Sequence, residues 1–148
     1  MCDCGRDSPA RSTSIPRPSA AGTGYDPLSS GGSNLGPTSQ KLIDGIKANL
    51  AQYRQENGLS AEAVVPADAV TASGRGLDPH ISLQNAQMQI ARVAKERGLS
   101  EEAIRAEVTK ATDNPLLGIG GDPGVNVLRI NRALDALVPK GALAQKKP

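Results

Sequence analysis

The scarcity of aromatic side chains is the feature that most constrains how this chain can fold. Its 148 residues include two tyrosines, and phenylalanine and tryptophan do not occur. A hydrophobic core must therefore be built from Leu, Ile, Val and Ala, each of which buries less surface than an aromatic ring. We expect a modest core whose stability improves when a partner covers more of the surface.

Length and charge limit the class of protein. A chain of this length fits one domain with tails. The 17 basic and 15 acidic side chains nearly balance, giving a net charge of +2. A nucleic-acid surface would need a clustered basic face and usually stacking aromatics. The composition therefore predicts no nucleic-acid partner.

Metal and membrane signals are missing from the sequence pattern. Cys2 and Cys4 lie in a polar start, and no histidine or further cysteine completes a metal site, so we expect no metal cofactor. The sequence also contains no apolar run of the roughly 18 residues that indicate a transmembrane helix. By this criterion the chain, as written, is predicted to be soluble.

Composition divides the chain into three parts. Residues 1–37 are rich in Ser, Pro and Gly, which favours an extended or disordered segment. Residues 38–138 carry the periodic apolar patterns of a folded domain. Residues 139–148 are predicted to be a basic, flexible tail.

Caps and apolar periodicity predict a small α+β domain, in which a few short strands are packed by about four helices. Gly58 and Gly98 are typical helix stops. Ser82 and Ser100 are typical N-caps. The predicted helices are 38–57, 83–97, 101–111 and one from Asn131 with Leu134 and Leu137 inward, and the predicted strands are 64–71 and 125–128.

The first candidate site is the glycine loop at residues 31–38. Its glycine spacing resembles a phosphate-binding loop, and a helix follows. However, Pro37 stands where the phosphate-binding lysine should be, and no strand precedes the loop. The pattern therefore favours a glycine turn that leads into the helix, with anion or nucleotide contact from backbone N–H groups as the alternative.

The second candidate site is the loop at residues 73–80. Arg75 could bind a carboxylate or phosphate on a partner, or could be a solvated loop arginine. His80 could serve as a base with Asp78 nearby, but Asp-Pro-His is more typical of a turn that starts the Ser82 helix. Together the two loops supply the candidate nucleotide or partner contacts, which are Ser30, Gly31, Gly32, Ser33, Asn34, Ser73, Gly74, Arg75, Gly76, Asp78 and His80.

Three long blocks and one short one resemble a known family in order and spacing. They are YDPLSSGGSNLGPT at residues 25–38, VPADAVTASGRGLDPHIS at 65–82, VNVLRINRALD at 125–135 and RPSA at 17–20. The chain is similar, over roughly residues 16–138, to the C subunit (KdpC) of Kdp-type potassium-transporting P-type ATPases.

The resemblance implies a non-catalytic accessory subunit of a potassium import complex in the inner membrane. Its expected partners are a potassium-channel-like subunit and a P-type ATPase subunit, which this subunit would assemble and support. ATP is the cofactor that the family implies. The alternative is a small soluble module that binds a nucleotide or anion.

The start of the chain departs from the family pattern. Family members begin with one membrane-spanning helix, whereas residues 1–15 are polar and contain both cysteines. We therefore expect membrane association through the partner subunits.

Overall fold

The computed structural model describes residues 13–14, 16–19, 31–74, 77–113 and 122–137. Its elements combine helices with a small antiparallel sheet of strand order β1-β3-β2, which confirms the α+β class. In chain order they are α1 (Gln40–Asn57), α2 (Ala67–Val70), β1 (His80–Ser82), α3 (Leu83–Arg97), α4 (Glu101–Lys110), β2 (Thr112–Asp113), β3 (Gly124–Asn126) and α5 (Val127–Leu137).

Local capping chemistry sets the helix ends, as the sequence predicts. Gly58 ends α1 at φ 63° and Gly98 ends α3 at φ 66°, a left-handed conformation that glycine adopts without a Cβ clash. The Ser82 hydroxyl accepts a hydrogen bond from the Asn85 N–H and begins α3. Ser100 begins α4 in the same way.

The predicted strand at residues 64–71 is wrong, because this segment contains the short helix α2. Pro66 is extended at ψ 144° and stands as the N-cap residue of α2. Asp68 in the first turn directs its carboxylate to the Ser82 N–H at 2.8 Å. Val64 is 79% exposed, so the run of β-branched residues does not form a buried strand.

The predicted strand at residues 125–128 is displaced. β3 is Gly124–Asn126, and α5 begins at Val127 rather than at Asn131. Asn126 explains the early change of structure, because its Oδ1 accepts a hydrogen bond from the Arg129 N–H at 3.0 Å. A side chain that caps the next helix ends the strand.

The main core lies between the sheet and helices α3, α4 and α5. Leu134 is fully buried in it, as predicted, whereas Leu137 is 50% exposed and the prediction that it points inward is wrong. Leu83, at the start of α3, is also exposed. The buried members are Ile81, Ala86, Ile90, Val93, Ala94, Ile104, Val108, Ala111, Val125, Val127, Ile130 and Leu134.

A smaller cluster joins α1 to α2. Tyr53 forms its centre with Ala69 and Val70, and Ile46 and Leu50 pack against it. Helix α1 therefore packs mainly through its second half, since Ile43 near its start remains exposed. This cluster contains the one tyrosine that the structure describes.

The tails are described in part. Residues 13–14 and 16–19 form neither helix nor strand, and they contact the domain. The rest of residues 1–30 and the predicted basic tail at 139–148 lie outside the described residues.

Candidate functional site

The two predicted loops meet at a pair of glycines. A Cβ placed on Gly32 would lie 3.0 Å from the carbonyl oxygen of Gly74, so a larger residue at position 32 would require the Gly74 backbone to move by a few tenths of an ångström. Gly31, its neighbour, has no atom within 4 Å of an added Cβ. The fold therefore brings together residues that lie about 40 positions apart in the sequence.

The first loop is mostly open to solvent. Ser33 and Asn34 are exposed, and Asn34 adopts a left-handed backbone at φ 50°, which asparagine tolerates better than most residues. The Gly36 carbonyl accepts a hydrogen bond from the Ser39 N–H in the turn that precedes α1. Residues 20–30, including the candidate Ser30, lie outside the described part.

The second loop places a buried hydroxyl beside the glycine pair. Ser73 is 3% exposed, and its backbone N–H donates to the carbonyl oxygen of Pro18 at 3.1 Å. Its Oγ has no hydrogen-bond partner among the residues that the structure describes. The candidates Arg75 and Gly76 fall outside those residues.

Asp78 forms the turn that the sequence suggests. Its Oδ1 accepts a hydrogen bond from the His80 N–H at 3.0 Å, the local side-chain bond that favours aspartate in turns. Arg17 approaches the other carboxylate oxygen at 3.5 Å. The turn leads into β1, not directly into α3 as predicted.

His80 lies between two carboxylates on the outer face of the sheet. Its Nδ1 is 3.4 Å from Asp78 Oδ1 and its Nε2 is 3.3 Å from Asp113 Oδ2. Arg129 pairs with Asp113 at 2.6 Å. The imidazole passes over Gly124, where an added Cβ would meet the His80 Cβ at 3.5 Å.

These polar contacts link both edge strands to α5. The Arg129 and Asp113 side chains are about half exposed, so their ion pair contributes only a few tenths of a kcal/mol, up to about 1 kcal/mol. Both His80 ring nitrogens face side chains of the fold itself. These contacts are therefore more typical of side chains that hold surface elements together than of a base directed at a substrate.

Metal ligation is a separate question. Over the ranges covered by the structure, no group of three or more His, Cys, Asp or Glu side chains is placed to hold a metal ion.

Sequence reasoning missed Asp68, the most heavily bonded carboxylate in this region. It accepts hydrogen bonds from the Ser82 N–H at 2.8 Å, the Ser82 hydroxyl at 2.9 Å and the Asn85 amide at 3.0 Å. Its position in the second resembling block was the available signal. The prediction of a strand at this position concealed the role of Asp68, because a residue in a strand would not be expected to bond the start of a distant helix.

A buried polar network continues from Asp68 into the small cluster. The Tyr53 hydroxyl donates to Asn85 Oδ1 at 2.7 Å, and Gln89 donates to the same oxygen at 2.9 Å. Burial raises the pKa of the Tyr53 phenol above its ordinary value, since the charged phenolate would lose its water. The network joins α1, α2 and α3 through fully bonded side chains.

Two aspartates bind the backbone N–H groups on the outer edge of β1. Within β1, Ile81 pairs with Val125 of β3, so the N–H groups of His80 and Ser82 point to the other side. Asp78 accepts from the first of these N–H groups and Asp68 from the second. An edge strand whose donors are occupied is a poor template for pairing with another chain.

The fold and these clusters define a small α+β domain with a loop-built surface, in which charged side chains mainly hold the domain's own loops and strand edges. The family model for the K+-transporting ATPase, c chain (KdpC), matches residues 11–136. The chain belongs to the KdpC family.

Individual relatives agree with the family match. A potassium-transporting ATPase KdpC subunit of Mycobacterium tuberculosis is 51% identical over 122 residues, covering 82% of this chain and 65% of the relative. The same-named subunit of Kineococcus radiotolerans is 48% identical over 135 residues, covering 91% and 68%. That of Nitratidesulfovibrio vulgaris is 53% identical over 122 residues, covering 82% and 61%.

The match to the mycobacterial relative spans just under two thirds of that protein, at 65% of its length. Among the helices in the described ranges, none combines the length and the apolar character needed to cross a membrane.

Proposed function

We propose that this chain acts as an accessory subunit of an ATP-driven potassium import complex. It would assemble or stabilise an ion-conducting, channel-like subunit and a P-type ATPase subunit, and would do no chemistry of its own. The observation that carries the proposal is the family match over residues 11–136, together with relatives named potassium-transporting ATPase KdpC subunits. In this proposal the chain is held at the inner membrane by its partners.

The geometry of the charged residues supports a non-catalytic role. Asp68 and Asp78 accept hydrogen bonds from backbone N–H groups of the same domain. His80 is held between carboxylates of the fold. A domain with such internal bonding presents a shaped surface, which suits binding to other subunits.

Assembly in cells tests the proposal. A strain that lacks its own c chain but keeps the other pump subunits would express this chain with an affinity tag, with and without an added N-terminal transmembrane helix. We expect the other subunits to co-purify, and potassium-dependent ATP hydrolysis and growth at low potassium to return. Failure of both forms to associate would overturn the proposal.

A matched pair of variants asks whether the meeting loops form the contact surface. Gly32→Ala puts a Cβ 3.0 Å from the Gly74 carbonyl oxygen and requires the two loops to separate by a few tenths of an ångström, whereas the Cβ of Gly31→Ala meets nothing within 4 Å. If the loops bind a partner subunit, the first variant reduces co-purification and the second does not. Equal recovery of both variants would place the contact surface elsewhere.

The loops also support a second candidate, contact with ATP or another anion. Gly32 and Gly74 bring exposed backbone together, and the buried Ser73 hydroxyl beside them has no hydrogen-bond partner among the described residues. Backbone N–H groups and a hydroxyl are groups that bind phosphate. ATP is the ligand that we propose for this site.

Amide chemical shifts followed during an ATP titration test the second candidate. We expect shifts at residues 31–34 and 73–74 in the unmodified chain and in Gly31→Ala, and weaker ones in Gly32→Ala. The absence of shifts at both loops at millimolar ATP would rule out direct ATP contact here. It would leave the assembly role untouched, because the two experiments read different events.

A further inference from the structure

The N-terminal segment is held by an asparagine that pairs with its backbone. Asn131 on α5 accepts from the Ser14 N–H at 2.8 Å through Oδ1 and donates to the Ser14 carbonyl at 3.2 Å through Nδ2. One side-chain amide thus makes both hydrogen bonds that a neighbouring strand residue would make. Both hydrogen bonds are made to the Ser14 backbone, so this pairing does not require a hydrogen bond from the Ser14 side chain.

An arginine from α3 holds the preceding residue. Arg92 Nη1 donates to the Thr13 carbonyl at 3.1 Å. Asn57 and Gln89 fix the same guanidinium, each at 2.9 Å. Burial lowers the pKa of Arg92, since the charged guanidinium has been taken out of water. A charged guanidinium is unfavourable to bury without hydrogen-bond partners, and the Thr13 carbonyl of the segment supplies one of them.

The other end of the segment reaches the second candidate loop. The Pro18 carbonyl accepts from the Ser73 N–H at 3.1 Å, and Arg17 lies 3.5 Å from Asp78. Residues 13–18 can span up to about 17 Å when extended. The segment therefore links Arg92 and Asn131 with the second candidate loop, which it contacts at Ser73 and Asp78.

The sequence of this segment suits an extended strap. Pro16 and Pro18 fix their own φ near the extended range, and each proline disfavours helical backbone in the residue before it. Arg17 is restricted by Pro18, which follows it. A chain already restricted to extended conformations loses less entropy when it docks.

We propose that the surface formed by Arg92 and Asn131 is a docking site for an extended peptide, and that its occupant is this chain's own N-terminal segment, held through residues 13–14 and 16–18 and acting as a strap. The strap docks as one unit, so that its hold on α5 and its hold on the Ser73 loop depend on each other. It fixes where the chain enters the domain relative to that loop. This inference does not depend on the proposed function.

Amide hydrogen exchange of the full chain tests the strap. Asn131→Leu removes both bonds to Ser14 and keeps the branching of the side chain at Cγ. We expect exchange at the Ser14 and Ser73 N–H groups to accelerate by about tenfold or more, because the two ends release together, while Val108 inside α4 keeps its protection. Arg132→Ala, at the next and exposed position of α5, is the matched control and should change none of the three.

The outcomes separate the alternatives. Faster exchange at Ser14 with Ser73 unchanged would overturn the strap as a unit. If Asn131→Leu also accelerates Val108, the whole fold has weakened, and Arg17→Ala decides instead. That variant should accelerate Ser73 and, more weakly, Ser14, and an unchanged Ser14 would overturn the proposal. Protection that falls on dilution would mean that the docking site binds the N-terminal segment of a second copy, and would exclude docking within one chain.

Discussion

The Tyr53 hydroxyl is the clearest case of a single group whose protonation state matters to the fold. It is buried and bonded to Asn85 at 2.7 Å. Burial raises the pKa of the phenol, so the folded chain keeps the proton at pH values where the unfolded chain, with an ordinary tyrosine pKa of about 10, loses it. The contribution to stability is therefore fully present below about pH 10 and is lost as the pH rises above it.

We predict that Tyr53→Phe weakens this pH dependence. Below about pH 9 the variant should be less stable by roughly 1–2 kcal/mol, because Asn85 loses a buried hydrogen bond. Above about pH 10 the two unfolding free energies should converge. Urea denaturation at several pH values measures the difference, and Tyr25, present in both chains, cancels. A gap that stays constant through pH 11 would contradict the coupling.

At single residues, the sequence predicted those roles that depend on neighbours within a few positions. Asp78 bonds the backbone two residues later, and Gly58 ends its helix, because turn and cap chemistry is local. Asp68 was missed because its partners lie 14 and 17 residues away. Which distant N–H group a carboxylate reaches follows from packing, and the local pattern does not contain it.

The two serine N-caps are equivalent within their helices but different in the fold. The Ser82 and Ser100 hydroxyls accept from the third residue of their helices at 3.1 and 3.2 Å. Ser82 also donates to Asp68 at 2.9 Å. Ser100→Ala should thus lower the unfolding free energy by about 1 kcal/mol, the usual effect of removing a cap.

Ser82→Ala should lower it by about 1 kcal/mol more, because the Asp68 carboxylate then loses a partner as well. Thermal or urea unfolding of the two variants measures the gap directly, with each serving as the other's control. Equal losses would mean that Asp68 contributes nothing through this hydroxyl. The double variant of Ser82→Ala with Asp68→Asn would then confirm or reject coupling between the two side chains.

At the level of elements, predicted helices fared better than strands for a physical reason. Helices α3 and α4 carry both their caps and their apolar spacing within their own sequence. The strands contain two or three residues each and exist because β3 pairs with both edges. Alternation over two or three residues is too short to identify a strand, although β1 and β3 do alternate. Val64 and Val65 suggested a strand, but neither belongs to a strand of the described residues.

The whole molecule combines two apolar clusters through one helix. Helix α3 contributes Ile90 and Val93 to the main core, while Met88 of the same helix packs against the Tyr53 cluster. The polar network of Asn85 and Asp68 lies between the clusters. Because neither cluster is large and both share α3, we expect them to unfold together.

A substitution confined to the main core tests this cooperation. Ile104 on α4 is 1% exposed and belongs to the main core. Ile104→Ala should lower the unfolding free energy by about 2–5 kcal/mol through lost burial and a cavity. In a Tyr25→Phe background, the fluorescence of Tyr53 reports on the smaller cluster and circular dichroism on the helices as a whole. Both transitions should move to lower denaturant by the same amount, since α3 cannot remain packed for one cluster and unfold for the other. A Tyr53 transition that stays in place while the helical signal moves would show instead that α1 and α2 hold their cluster independently of the sheet.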